Sequence, residues 1–140
     1  MTNTENDGII YLCGGKMKPV RYAITQEQID SILENELKEY SFPVKPVYNP
    51  RIRANGRTIA EVYPWGQLKQ IKAIEIGKQD VSDRKFLIDT LLHEYFEAEI
   101  FIKQYADEFY KNISKSGDYK RHMWINTQID KFFKGLRGSK

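Results

Sequence analysis

The first apolar positions of the chain fall into two short runs that favour β-strands. Residues 9–12 and 20–24 are rich in isoleucine, valine and tyrosine, and the turn-forming pair Gly14-Gly15 lies between them. This pattern predicts a β-hairpin near the start of the chain. Residues 1–7 precede the hairpin and are predicted to be disordered.

Helical periodicity first appears after Thr25. Thr25 and Gln28 have the spacing of a capping box, in which each side chain accepts a hydrogen bond from the backbone of the other residue. Apolar side chains then recur on one helix face for about fifteen residues, at Ile29, Ile32, Leu33, Leu37 and Tyr40. Prolines beyond this point exclude a longer helix, and residues 44–48 are predicted to be an extended segment at a sheet edge.

The middle of the chain has the turn residues and strand-forming runs of an antiparallel meander. Asn55-Gly56 is a strong hairpin signal, because both residues tolerate the positive φ angles of a type I′ turn. Strands are predicted at residues 58–63 and 68–76, with a turn at residues 64–66 between them.

Helical spacing dominates the C-terminal half. Ser82 can cap a helix of about thirty residues, whose apolar positions are Ile88, Leu91, Leu92, Tyr95, Ile102, Tyr105, Phe109 and Ile113. Gly117-Asp118 interrupts this pattern, and a final amphipathic helix follows. The order β-hairpin, helix, small antiparallel meander, long helix and final helix predicts a single α+β domain over residues 1–140.

Composition excludes several classes of protein. No stretch of the 140 residues approaches the roughly 20 apolar residues of a membrane span, so no membrane partner is expected and the cytoplasm is the expected location. A single cysteine, Cys13, excludes an internal disulfide and a cysteine-rich zinc cluster. The net charge of +3 is small, which disfavours nucleic acid as a partner without excluding it.

One segment of the long predicted helix has a pattern with chemical content. In the sequence His-Glu-x-x-Glu, His93 and Glu97 are four residues apart and share one helix face, where both can bind the same metal ion. Glu94 points about 100° away and can address a water molecule on that ion. His122, the second of the two histidines, can add an imidazole from the final helix, which gives the two-histidine, one-carboxylate set of many zinc hydrolases.

The same region resembles a known family. Residues 49–100, and most specifically the segment Thr-Leu-Leu-His-Glu at residues 90–94, are similar to the minimal zincin domain of the SprT-like metallopeptidases, in which a short meander leads into a zinc-binding helix. The resemblance implies a zincin-like fold, with His93 as a zinc ligand and Glu94 as the catalytic base. The second histidine of the family motif is replaced here by Glu97, so the motif is a variant, HExxE. A vaguer likeness connects this helix and the later His122 with phage-encoded proteins and C-terminal modules of polymorphic toxins.

The leading hypothesis is a zinc-dependent hydrolase, specifically a metallopeptidase with Glu94 as general base. Its substrate would be a peptide or protein that pairs with an edge strand at residues 44–48 or 68–76. Arg121 and Arg57 are candidate substrate-binding residues, because a guanidinium group binds carboxylates and phosphates well.

Other interpretations remain open. His93 and His122 can instead act as the acid and base of a metal-independent ribonuclease-type toxin. The chain can also be a catalytically silent interaction module of a phage or mobile element. Finally, the HExxE segment can be a solvent-exposed helix face that is stabilised by pairing between His93 and Glu97.

Overall fold

The computed structural model describes residues 20–138 of the chain. Residues 1–7 and the first strand of the predicted hairpin lie outside the described residues, so the hairpin stays a prediction. In its second predicted strand, Tyr22 forms one isolated antiparallel bridge to Gln79.

The described residues form a small α+β fold, as predicted, in which three strands follow the first helix and three helices follow the strands. The described elements, in chain order, are α1 (Gln26–Glu34), β1 (Val47–Tyr48), β2 (Gly56–Val62), β3 (Leu68–Ile76), α2 (Arg84–Lys103), α3 (Glu108–Lys115) and α4 (Asp118–Gly138). The helices within this part of the chain lack the combination of length and apolar composition that a membrane crossing requires.

α1 begins with the predicted capping box. The Thr25 hydroxyl accepts a hydrogen bond from the backbone N–H of Gln28 at 3.1 Å, and the Gln28 side chain accepts one from the N–H of Thr25 at 2.8 Å. The helix has 9 residues and is shorter than predicted. It ends at Asn35, whose side chain donates to the carbonyl of Ser31 and so competes with further helical bonding.

β3 is the central strand of a three-stranded sheet with the order β1-β3-β2. β2 pairs with it antiparallel and β1 pairs with it in parallel. The strand predicted at residues 68–76 is therefore confirmed. Because it is hydrogen-bonded to a neighbouring strand along both of its edges, it cannot be the free edge strand predicted to pair with a substrate. The antiparallel pairing of the strands predicted at residues 58–63 and 68–76 is also confirmed. β1 joins the same sheet in parallel, so the sheet as a whole is not an antiparallel meander.

The turn predicted at Asn55-Gly56 is not formed. Neither residue has a positive φ angle, and Gly56 is already the first residue of β2. The side chain of Asn55 instead makes two hydrogen bonds of 3.0 Å with Asp80, one to its carboxylate and one from its backbone N–H. The carbonyl of Asn55 accepts a further bond from Gly77 at 2.9 Å. These tertiary contacts override the local turn preference.

The predicted long helix is divided into α2 and α3. α2 is capped by Asp83 rather than Ser82, through a bond of 2.6 Å from the N–H of Phe86. Asp107 caps α3 by accepting from the N–H of Phe109 at 2.9 Å, which starts a new helix in a new direction. Several of the residues predicted to face the core after Glu99 are consequently more than 40% exposed: Ile102, Tyr105 and Phe109.

The apolar core lies between the sheet and the helices α1, α2 and α4. Its fully buried members include Ile29, Ile32, Leu37, Ile74, Ile76, Leu91, Leu92 and Ile125. Gly117, with φ 94°, separates α3 from α4 as predicted, and the final helix packs against α2. This packing brings the start of α4 beside the HExxE segment.

Candidate metal centre

Two candidate ligands lie one turn apart on α2. The helix places His93 and Glu97 on the same face, and Nε2 of His93 is 3.4 Å from Oε2 of Glu97. Leu91 and Leu92 are fully buried on other faces of the helix. Their burial fixes the rotation of α2, so that the side chains of His93 and Glu97 lie at the margin of the core.

The third candidate ligand comes from α4. His122 follows the turn at Gly117, and its Nε2 atom is 3.4 Å from the same Oε2 of Glu97. The rings of His93 and His122 have their centroids 5.1 Å apart. One ligand atom from each of these three residues lies within 4.8 Å of the others, so the structure brings together the residues that the sequence proposes as ligands.

The donor set and the two distances from Glu97 to the histidines fit a tetrahedral ion such as zinc. With metal–ligand bonds of about 2.0–2.1 Å, two ligand atoms of a tetrahedral site lie about 3.3–3.4 Å apart. Oε2 of Glu97 is 3.4 Å from the Nε2 atom of both histidines. Three protein ligands leave a fourth position for water, which is the pattern of catalytic zinc sites. Iron or manganese would also accept these ligands.

Arg121 holds the second oxygen of Glu97. Its Nε atom donates to Oε1 of Glu97 at 3.0 Å, and its NH1 nitrogen donates to Asp118 at 2.9 Å. The sequence predicts Arg121 as a candidate substrate-binding residue. Here it contacts a candidate ligand, and its role toward a substrate stays a prediction.

Glu94 lies on the next face of α2, against β2. The residue is 5% exposed, and its Oε1 atom accepts a hydrogen bond of 2.8 Å from the hydroxyl of Thr58. A Cβ atom added at Gly56 would lie 3.0 Å from Oε2 and from Cγ of Glu94. β2 therefore passes so close to this carboxylate that position 56 has almost no room for a side chain.

The two carboxylates have opposite electrostatic settings. Burial raises the pKa of Glu94, and the hydrogen bond from Thr58 offsets only part of this rise. Burial also acts to raise the pKa of Glu97, but the hydrogen bond with His93 and the charge of Arg121 outweigh it and lower the pKa. The lowered pKa of Glu97 favours an ionised ligand, whereas the raised pKa of Glu94 favours a carboxylate that can accept and release a proton.

His93 is surrounded by negative charge. Burial by itself lowers the pKa of His93, yet the hydrogen bond to Glu97 and the charges of Glu94, Glu97 and Asp89 raise the pKa overall. Without a metal ion, a proton is the cation that this cluster attracts to the imidazole.

A pocket of about 430 Å³ adjoins the cluster. It is lined by both histidines and both carboxylates, and its remaining wall residues are Gly56, Arg57, Thr58, Ile100, Phe101, Ser114 and Arg121. A second pocket, of about 270 Å³, shares Gly56, His93 and Glu94 with the first. Gly56, His93 and Glu94 therefore border both pockets.

The remaining predicted site residue, Arg57, also lines the larger pocket. Its Nε atom is paired with Glu75 of the neighbouring strand at 2.7 Å, and its side chain is 52% exposed. Sequence reasoning missed Thr58 and the role of Gly56. No local signal assigns them to Glu94, because their contact joins residues 36 positions apart.

Comparisons with known protein families, with curated proteins and with solved structures found no match. The resemblance to the minimal zincin domain therefore stays a prediction that rests on the HExxE segment and the residues before it.

Proposed function

We propose that this protein is a zinc-dependent hydrolase that acts as a peptidase with Glu94 as its general base. The observation that carries the proposal is the convergence of His93, Glu97 and His122 on one point beside a buried carboxylate. A zinc ion held by the three side chains would polarise the scissile carbonyl and make water more acidic.

The chain's own residues supply the proton transfers. Glu94 accepts the proton of the attacking water and passes it to the leaving amine, and its raised pKa makes the carboxylate a stronger base for this exchange. The Thr58 hydroxyl keeps one carboxylate oxygen in place, which leaves Oε2, the oxygen beside Gly56, for the reacting water. The products are a carboxylic acid and an amine, so the reaction balances with one water consumed.

An extended peptide is the substrate that the neighbouring strand favours. Among the described strands, β2 has a partner on one side only. The carbonyl of Asn55 points to β3, where it accepts from Gly77. Because the backbone groups of successive residues point to opposite sides of a strand, the main chain of Gly56 and Thr58 faces away from β3. A peptide paired there by β-augmentation would run past Glu94.

Metal analysis combined with a hydrolysis assay tests the proposal. We expect one zinc per chain after dialysis against zinc, and cleavage of an unfolded protein such as casein that stops on chelation. Glu94→Gln should bind zinc and cleave nothing. Glu99→Gln is the matched control on the same helix, because Glu99 pairs with Lys103 at 3.0 Å and does not line the pocket; it should retain activity.

A wild-type protein that binds no zinc, or a Glu94→Gln variant with unchanged cleavage, would contradict the proposal. The same preparations should be tested on RNA. Cleavage of RNA that persists in a chelator and requires both His93 and His122 would instead establish the metal-independent ribonuclease.

A further inference from the structure

The two oxygens of Glu97 are used for different purposes. Oε2 is 3.4 Å from the imidazole nitrogens of both His93 and His122. Oε1 points the other way and accepts a hydrogen bond of 3.0 Å from Nε of Arg121. A carboxylate can rotate about its last bond, so a partner on Oε1 is what keeps Oε2 directed at the imidazoles.

Arg121 is itself fixed at two points. Its NH1 nitrogen donates to Asp118 at 2.9 Å, and its side chain is 23% exposed. Arg121 lies on the first turns of α4, next to His122, and its partner Glu97 lies on α2. The guanidinium therefore joins the two helices that provide the three candidate ligands, and it does so through the ligand carboxylate.

The other cation of the pocket has no such contact. Arg57 is paired with Glu75 on β3 at 2.7 Å and is 52% exposed. Both arginines line the same pocket, but Arg121 alone of the two bonds to a candidate ligand. This difference separates a ligand-positioning role from general attraction of a negatively charged substrate.

We propose that Arg121 is a positioning residue of the metal centre, which holds Glu97 so that a single oxygen faces the ion and which places His122 at the correct distance. This inference rests on the metal site of the proposed function. Loss of a hydrogen-bonding partner of a metal ligand typically weakens metal binding about 10–100-fold. The lysine ammonium is a point charge without the planar fork of arginine, so lysine should replace Arg121 only in part.

Zinc affinity, measured by competition with a chromophoric chelator, tests the proposal without reference to activity. We expect Arg121→Met to weaken zinc binding about 10–100-fold and Arg121→Lys to fall between Arg121→Met and the wild type. Arg57→Met is the matched control, since it removes a cation from the same pocket without touching a ligand, and it should bind zinc as the wild type does.

Cobalt substitution distinguishes positioning from a general structural role. At saturating cobalt, the visible absorption of Arg121→Met should differ from that of the wild type, because a released Glu97 can offer both oxygens to the ion. Metal-free circular dichroism and urea unfolding report the fold separately. If Arg121→Met fails to fold, Asp118→Asn provides the test, because the side chain of Asp118 is 84% exposed and accepts a bond from Arg121. Asp118→Asn should weaken zinc binding, although less than a ligand substitution does, and an unchanged affinity would overturn the inference.

The outcomes separate this inference from the proposed function. If Arg121→Met binds zinc with the affinity of the wild type and has an unchanged cobalt spectrum, the positioning role is overturned. The zinc site itself would still stand. If the only effect of Arg121→Met is a higher KM, Arg121 binds the substrate rather than positioning Glu97. This outcome also overturns the inference. A wild-type chain that binds no zinc overturns both.

Discussion

The hydroxyl of Thr58 donates a hydrogen bond of 2.8 Å to Oε1 of Glu94 and so joins β2 to the helix that carries the candidate site. Glu94 is 5% exposed as a whole residue, so this bond replaces solvation that burial has removed. The bond lowers the pKa of Glu94 against the larger rise caused by burial. Strand and helix are thus linked at the group that we propose as the general base.

Thr58→Val should therefore shift the pH dependence of hydrolysis. Removal of the hydroxyl leaves burial less opposed, so the pKa of Glu94 rises further and the ionised base is lost at a higher pH. The acid limb of the kcat/KM profile should move to higher pH. Thr58→Ser keeps the hydroxyl and should keep the profile. An acid limb that is unmoved in Thr58→Val would show that Glu94 is not the group that titrates.

Gly56→Ala should lower the turnover rate by a larger factor than it lowers the folding equilibrium constant. The new methyl group would lie 3.0 Å from Oε2 and Cγ of Glu94 and 3.1 Å from Thr90, so the carboxylate must shift by a few tenths of an ångström. Gly135→Ala on α4 is the control, because a Cβ there meets nothing within 4 Å. It should raise the free energy of unfolding by about 0.5–1 kcal/mol through helix propensity. Steady-state kinetics and urea unfolding of both variants check the pair.

Removal of metal should stop hydrolysis and leave the protein folded. The core is complete without an ion, since Leu91, Leu92 and Ile125 are fully buried. Zinc at 100 times its Kd should add about 2.7 kcal/mol, which corresponds to a rise in Tm of roughly 5–10 °C. His122→Ala should lose most of this rise. Unfolding of the metal-free chain at room temperature would show instead that the site is structural.

Leu92→Ala should destabilise the metal-free protein by about 2–5 kcal/mol, because Leu92 is fully buried next to the candidate ligand His93. Ile102→Ala on the same helix should cost less than about 1 kcal/mol, because Ile102 is 43% exposed. Urea unfolding with chelator present measures both. Equal losses would mean that α2 is rotated relative to the structure described above.

The sequence pattern predicts the structure well where the residues of a single element determine it. The capping box at Thr25, the strand at residues 68–76 and the turn that contains Gly66 all depend on residues close in sequence. The pairing of His93 with Glu97 is predictable for the same reason, since helical spacing alone places them together.

The sequence pattern predicts the structure wrongly where contacts between residues distant in sequence determine it. Asparagine is a typical turn residue, but Asn55 binds Asp80, 25 positions later. Its neighbour Gly56 has to be a glycine because the side chain of Glu94 approaches it closely. The division between α2 and α3 had one local sign, an aspartate at position 107 followed by Glu108 and a new apolar series. The unbroken spacing of aromatic residues across that position concealed it.

The break between α2 and α3 at residues 104–107 determines the stage of synthesis at which the candidate site of the proposed enzyme can assemble. It lets the chain turn back through α3, so that Arg121 reaches Glu97 across 24 intervening steps of sequence. During synthesis, His93 and Glu97 emerge first and have no third ligand until the last helix has been made and has docked. A chain that ends before His122 would lack the third candidate ligand, and under the proposed function it would have no hydrolase activity.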